Sequence, residues 1–375
     1  MLDRTPNTTF HHDQIPCTGI LVANLGTPDT PTYGGLRRYL RQFLSDPRLD
    51  IKVFGSRALW WPILYGIVLT FRPRSKAKEY GEIWTDEGSP LLVTGRRQVA
   101  ALQRRLDERC PGKVAVALGM RYGNPSIAAA LGELRAAGAE RVLLLPLYPQ
   151  YAAATTASTF DALAQELAHW RWLPEVRMVN HYHDYPPYID ALVGRIRAAW
   201  EEKPPLERLL FSFHGVPGSA LTAGDPYHCQ CHKTARLVAE ALGLDRERWA
   251  VAFQSRFGDE VWLKPYTDEL LKEWAGQGVK SVDVICPGFS TDCLETIAEI
   301  DEENREYFLE AGGQDYRYIA ALNEGDDHMD FLAELILQHT RGWPEMDAAI
   351  GAPRVQDEAA RQKTLELALA LGAAQ

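Results

Sequence analysis

The chain has little of what several large classes of protein depend on. It carries 40 Lys and Arg against 50 Asp and Glu, a formal charge of −10, and no run of basic residues. Nucleic-acid binding needs a basic face to meet phosphate, so that class is set aside. Its six cysteines (Cys17, Cys110, Cys229, Cys231, Cys286 and Cys293) are few and scattered, which excludes a disulfide framework and fits reduced thiols in a cytoplasm. Met1 to Gln14 is polar and lacks the apolar core of a secretory signal. The longest apolar stretch, Leu59 to Phe71, holds Pro62 and Gly66 and is far shorter than the about 20 residues a membrane span requires. It reads as buried core or as an exposed apolar lip.

Two nucleotide-binding signatures are also missing. After the first apolar run, Gly26-Thr27-Pro28-Asp29-Thr30 supplies one glycine and a proline where a dinucleotide loop needs three spaced glycines. No phosphate-binding Gly-x-x-x-x-Gly-Lys-Ser/Thr loop occurs.

What is present is an alternation of short apolar runs and helix-period segments along 375 residues, a length that suits two α/β domains. Strands are expected at Thr18–Leu25, Lys113–Met120, Arg141–Leu147, Val176–Asn180, Arg208–His214, Trp249–Ser255, Lys280–Cys286 and Tyr316–Ala320. Nearly continuous apolar strands between helices mean parallel sheet covered on both faces. Helices are expected at Ser126–Ala137, entered through Asn124 as cap and Pro125 in the first turn, and at Pro187–Trp200, Thr267–Gln277 and Asp330–Gln338. Gly351 to Gln375 reads as a tail, helical in part, with no assigned role.

A weak internal repeat organises these elements. Leu25-Gly26-Thr27-Pro28 is matched by His214-Gly215-Val216-Pro217. Met120-Arg121-Tyr122-Gly123 is matched by Ser255-Arg256-Phe257-Gly258, and Pro146-Leu147-Tyr148 by Pro287-Gly288-Phe289. Glycine and proline punctuate strand ends in any α/β protein. Duplication accounts better for the shared order and the repeated Arg-aromatic-Gly triplet. The fold expected is α/β, with two similar domains, each a four-stranded parallel sheet flanked by helices. Ligands of such sheets bind beyond the carboxyl ends of the strands, which places a cleft between the halves.

The chemically versatile residues fall at those ends. His214 occupies the slot that Leu25 fills in the first half. It is either a proton acceptor or metal ligand, or a strand-end histidine bonded to a neighbouring loop, and spacing does not separate the two. Asp292 and Glu295 have capping-box spacing. Glu295, Glu299 and Glu303 then continue at i, i+4 and i+8, a ladder of like charges that suits a route for a divalent cation or simply a solvated acidic face. Arg72, Arg74, Lys76, Ser89 and Arg121-Tyr122 add groups able to meet carboxylates. Trp60, Trp61, Tyr65, Tyr148, Tyr151, Trp262 and Tyr266 add flat apolar surface, although most aromatics pack cores. Cys229 and Cys231, flanked by His228 and His232, lack the spacing of a zinc knuckle.

The segments LVANLGTPDT, RSKAKEY, GSPL, GMRYGNPSI, LLLPLYPQYAAATTAS, LLFSFHGVP, GDPYHCQC, FQSRFG, WLKPYTDELL and ICPGFSTDCLETIAEID together resemble the protoporphyrin ferrochelatase family, from Thr18 to about Gln338. That resemblance implies two Rossmann-like domains with porphyrin bound between them, and insertion of Fe2+ into protoporphyrin IX to give haem with release of two protons. It implies a leading segment at 1–17, domains at 18–172 and 173–325, a helix at 326–342 returning to the first domain, and a tail at 343–375. His214 matches the family's active-site histidine and Glu295 its partner, both implied as catalytic and metal-binding. Glu299 and Glu303 match the trailing acids. Leu25, Arg72, Ser89, Arg121, Tyr122 and Trp262 match positions that line the porphyrin pocket, and Leu59–Phe71 matches the lip at its mouth, where peripheral membrane contact is expected. No cofactor is expected. The family's animal members have histidine where Cys293 stands, and no cysteine follows Cys293, so an iron–sulfur cluster is not expected. The alternatives are a chelatase for another tetrapyrrole or metal, such as coproporphyrin or cobalt, and a haem-binding carrier without catalysis.

Overall fold

In the computed structural model, which describes residues 10–49, 51, 56–256, 260–347 and 358–373, eight parallel strands form two sheets with one topology. The first sheet has the order β2-β1-β3-β4, from β1 (Cys17–Thr27), β2 (Lys113–Gly123), β3 (Ala139–Pro146) and β4 (Glu175–Met178). The second has the order β6-β5-β7-β8, from β5 (Arg208–His214), β6 (Trp249–Gln254), β7 (Ser281–Ile285) and β8 (Asp315–Ile319). Each expected strand is present, and the matching orders give the sequence repeat its structural form. The central strands are apolar throughout because helices cover both faces: nearly all of β1 is buried.

The helices of the first half are α1 (Tyr33–Leu44), α2 (Trp60–Ile63), α3 (Leu69–Ile83), α4 (Pro90–Arg109), α5 (Ile127–Ala136) and α6 (Ser158–Leu167). Those of the second are α7 (Pro186–Glu202), α8 (Gly218–Thr222), α9 (Tyr227–Leu242), α10 (Thr267–Gly276), α11 (Asn304–Glu310) and α12 (Asp326–His339). Leu64–Val68 and Glu295–Glu303 are wound as π-helix. The cap of α5 differs from expectation. Ser126 holds it, accepting from the Ala129 N–H at 3.1 Å, and Pro125 lies before the helix. A hydroxyl already placed to satisfy an orphan N–H outweighs the cap-then-proline pattern.

The two halves are not separate bodies. One apolar cluster takes Ile20, Val22 and Leu145 from the first sheet and Phe211, Phe213 and Ile285 from the second. Polar side chains stitch the same seam. The Gln98 amide on α4 donates to the Thr291 hydroxyl (3.0 Å) and the Asn323 carbonyl (2.9 Å), and the Ser290 hydroxyl donates to the Leu147 carbonyl (3.0 Å). Helix α12 returns to α4, where Arg105 pairs with Asp326 and Asp330.

Three boundaries change. Residues 175–178, assigned by sequence to the second domain, are β4 of the first sheet, paired in parallel with β3. Cys17, assigned by sequence to the leading segment, is the buried first residue of β1. Residues 343–346, assigned to the tail, are docked: Trp343 is buried, and buried Glu345 accepts from Arg141 (2.8 Å) and the Thr18 hydroxyl (3.0 Å). The helix Glu358–Ala370 buries none of its residues. Residues 1–9, the Phe257-Gly258 pair of the second triplet and residues 348–357 lie outside the described part.

Candidate active site

Strand β5 ends at His214, and the next residue explains why the chain can turn there. A side chain on Gly215 would meet the Gln254 carbonyl at 2.8 Å and the Trp262 ring at 3.1 Å. Glycine therefore lets the turn sit flat against β6 and lets the indole of Trp262 lie against the residue that follows the histidine. The His214 Nδ1 lies 2.7 Å from the Gly215 carbonyl. A carbonyl only accepts, so Nδ1 carries the proton and Nε2 keeps the basic lone pair. The Tyr227 hydroxyl donates to the His214 carbonyl (2.9 Å) and pins the backbone behind the ring.

Across from it, Glu295 opens the π-helix. The capping-box expectation fails here. The Asp292 N–H donates to the Asn323 side-chain carbonyl (2.9 Å), and Asp292 itself receives the Tyr318 hydroxyl (2.6 Å) and the Thr296 hydroxyl (3.1 Å). Asp292 is a structural anchor, and Glu295 does not cap it. Extra residues per turn in a π-helix still leave positions four and eight apart near one face, and such windings concentrate at functional sites.

Glu299 is the most constrained member of the ladder. Its carboxylate accepts the Ser255 N–H (2.8 Å), the Ser255 hydroxyl and, at 3.5 Å, the Gln254 amide. Burial raises its pKa and the bonds from Ser255 oppose that rise, as does the charge of His214, while Glu295 adds to it. Histidine and both glutamates thus act on one another electrostatically. Ser255 holds this geometry with φ at +63°, a left-handed conformation that costs a non-glycine residue energy. Glu303 lies one further turn out and is exposed; partial burial beside Glu79 raises its pKa.

The first half closes the site from the other side. Leu36 on α1 and Tyr80 on α3 pack with Leu294 and Ala298 of the π-helical segment. Tyr39 donates to the Gly26 carbonyl (3.2 Å), and burial together with the nearby Glu295 charge holds both Tyr39 and Tyr80 protonated far above neutrality. Leu25 packs against the cluster that contains Tyr39, Trp60, Leu64 and Leu69. The lip runs through α2, the π-turn and α3. Its inner side buries Trp60, Leu64 and Leu69, while Ile67 and Phe71 stand 56% and 63% exposed. Arg72 follows them on the exposed side, its guanidinium pKa lowered by apolar surroundings.

Three of the expected pocket residues are turned to other work. Tyr122 is fully buried, and its hydroxyl donates to Asp46 (2.8 Å). Arg121 bonds the same buried carboxylate and the Ser158 hydroxyl (2.6 Å). Burying Asp46 leaves an acid that must be compensated, and Arg121 answers it. Ser89 is buried with its hydroxyl receiving Thr27 (2.8 Å). The matching Arg256 of the second half behaves differently, pairing on the surface with Asp268 and Glu269.

The expected metal set of His214, Glu295, Glu299 and Glu303 does not form a closed cage. Among the described residues, the one group placing three His, Cys, Asp or Glu donor atoms within 4.8 Å of one another is His181, His183 and Asp184. Cys229 and Cys231 point apart, the first exposed and the second buried, and so give no paired thiolate site. The cavity lined by Leu92, Arg96, Val116 and Glu133 runs along the edge strand β2 and contains none of these residues. Sequence reasoning missed Gln254 and Ser255. Gln254 ties the strand end to the π-helix through its amide to the Glu295 carbonyl (2.8 Å) and receives the Ser212 hydroxyl (2.8 Å). Their position at the end of β6, where Ser255 begins the repeated signature and Gln254 precedes it, was the available signal.

With that geometry in hand, the similarities to known proteins fall into line. A family model described as Ferrochelatase matches residues 17–340. A relative named Ferrochelatase from Nitrosococcus oceani is 54% identical over 366 residues, covering 98% of this chain and 98% of its own. Another of that name from Thioalkalivibrio sulfidiphilus is 53% identical over 358 residues, covering 95% and 96%. Among solved structures, SirB from Bacillus subtilis with Fe3+ superposes with a TM-score of 0.51 at 12% identity, over 86% of this chain and 96% of that one; it speaks for the fold alone.

Proposed function

Since the chain belongs to the ferrochelatase family, we propose that it inserts Fe2+ into protoporphyrin IX, forming haem and releasing two protons. The observation that carries this reading is the His214 imidazole, locked by its Nδ1 bond so that the Nε2 lone pair is free, with its charge and that of Glu295 both acting on buried Glu299. Each metal insertion must remove two pyrrole N–H protons from the macrocycle. An imidazole whose Nε2 lone pair is free can accept one of them. Glu299, whose carboxyl titrates higher than an ordinary acid, is suited to take that proton onward, with exposed Glu303 as the exit to water. Glu295, adjacent to the ring-facing end, would attract the incoming cation and share the proton load. Cys293 is a poor ligand here, because burial and the Glu295 charge hold its thiol protonated.

The macrocycle is apolar with carboxylates at its edge. Leu25, Trp262 and the lip supply apolar contact, and Arg72 is the cation beside the lip that would meet an edge carboxylate. Binding energy gathered at the periphery would favour a puckered ring whose nitrogens are exposed. Among the described residues no helix is long and apolar enough to cross a membrane. The exposed side chains of the lip would let the protein take its substrate from a membrane surface in the cytoplasm.

The test follows protoporphyrin fluorescence as zinc or ferrous iron is inserted. His214→Ala is expected to abolish insertion while porphyrin still binds and quenches tryptophan emission. Near-normal insertion by that variant, or faster turnover of coproporphyrin by the unaltered protein, would overturn the assignment.

A further inference from the structure

The loop leaving β4 carries a second group of metal-ligating side chains, on the edge strand of the first sheet and separate from His214. We propose that His181, His183 and Asp184 bind a divalent transition-metal cation of the zinc class. The two Nδ1 atoms lie 3.2 Å apart, with the rings tilted by 57°. Two nitrogens held about 2.0–2.1 Å from a tetrahedral zinc are about 3.3 Å apart, so the imidazoles already stand at the bite of one ion. The Asp184 Oδ1 is 3.7 Å from the His183 Nδ1 and completes a face of three donors.

The loop is held in this form by contacts that owe nothing to a metal. The Thr234 hydroxyl donates to the His183 carbonyl (2.7 Å), and the Tyr182 N–H donates to the Pro149 carbonyl (2.9 Å). Tyr182, between the two histidines, is buried and its hydroxyl pairs with Ser290 (3.2 Å), at the mouth of the segment that leads to Glu295. The corresponding loop after β8 has Ala320-Ala321-Leu322-Asn323 and no histidine, so the repeat does not require imidazoles there.

Two imidazoles and one carboxylate select zinc, cobalt, nickel or ferrous iron over magnesium and calcium, which favour oxygen throughout. The Nδ1 proton shared by the facing pair leaves as the ion enters and the Nε2 of that ring takes one up from water, so both rings would ligate as neutral Nε2–H tautomers. Lys233 occupies the other oxygen of Asp184 (2.6 Å), which leaves Oδ1 turned toward the histidines. Three protein donors leave an open position for water.

The experiment uses the full chain carrying His214→Ala, so that binding at the proposed insertion site is removed first. Zinc bound is measured by equilibrium dialysis, and cobalt is followed through its visible absorption. One zinc per chain is expected to remain. Adding His181→Ala, an exposed position that does not burden folding, should weaken it at least about 10-fold, as should Asp184→Asn. His183→Asn should abolish the cobalt spectrum. A background protein that binds no zinc, or variants that bind it as tightly as the background, would overturn the proposal and show the paired imidazoles to be a hydrogen bond alone.

Discussion

Lowering the pH from 7 to 5 is expected to remove about 2 kcal/mol of stability through His328 alone. This imidazole is 1% exposed at the start of α12. Its Nδ1 donates to the Asn323 carbonyl at 2.6 Å, and its Nε2 has no hydrogen-bond partner among the described residues. Burial lowers its pKa from 6.5 to about 4, with nearby Arg195 opposing protonation further. Above pH 6.5 the folded and unfolded chains are both neutral at this position. Between 6.5 and about 4 the unfolded chain takes a proton that the folded chain refuses, so stability falls as pH falls. At about 1.4 kcal/mol per pH unit the whole window is worth about 3 kcal/mol, and about 2 of it lies between pH 7 and 5. Urea unfolding of the native protein and of His328→Gln at pH 7, 6 and 5 isolates the effect, since His183 contributes to both alike. The variant should lose about 2 kcal/mol less than the native protein across that range. Equal losses would refute the reasoning. The consequence reaches the site, because Asn323 also receives Gln98 and donates to the Asp292 carboxylate (2.7 Å) ahead of the π-helix.

Glu295→Gln is expected to lower turnover by about 10²-fold with an unchanged melting temperature, because the residue caps nothing; calorimetry beside the insertion assay checks both. Asp46→Ala should cost about 3–5 kcal/mol in urea unfolding, since it strands Arg121 and two hydroxyls around an emptied buried position. Gly26→Ala should prevent folding: φ is +107° and the added carbon would fall 1.7 Å from the Tyr122 carbonyl, so recovery of normal soluble, helical protein by circular dichroism would contradict it. Replacing Ile67 and Phe71 with serine should abolish sedimentation with anionic vesicles if the lip is the contact; retained sedimentation would place that contact elsewhere.

Much of the fold was readable because parallel strands buried on both faces leave nearly unbroken apolar runs, as Gly19-Ile20-Leu21-Val22-Ala23 does in β1. Loops and windings were less readable. Nothing in Glu295-Thr296-Ile297-Ala298 announces a π-helix, because the extra residue per turn has no side-chain marker. The paired triplets also misled in one respect. Arg121 and Arg256 look equivalent, yet only the first faces a buried carboxylate, and that acid comes from Asp46, 75 residues away in sequence. Long-range partners of this kind are invisible to local spacing. The same applies to His181 and His183, whose alternation signals a strand edge or a loop with equal ease until the rings are seen facing each other.

The stitched seam between the sheets constrains how any guest gets in. Halves that share one apolar interior do not swing apart like jaws, since doing so would wet Phe211, Phe213 and their partners all at once. Admission and exit would then fall to the lip at Leu59–Phe71, whose inner side chains anchor it while its outer ones face solvent. Turnover would accordingly respond to stiffening that lip far more than to clamping the sheets together.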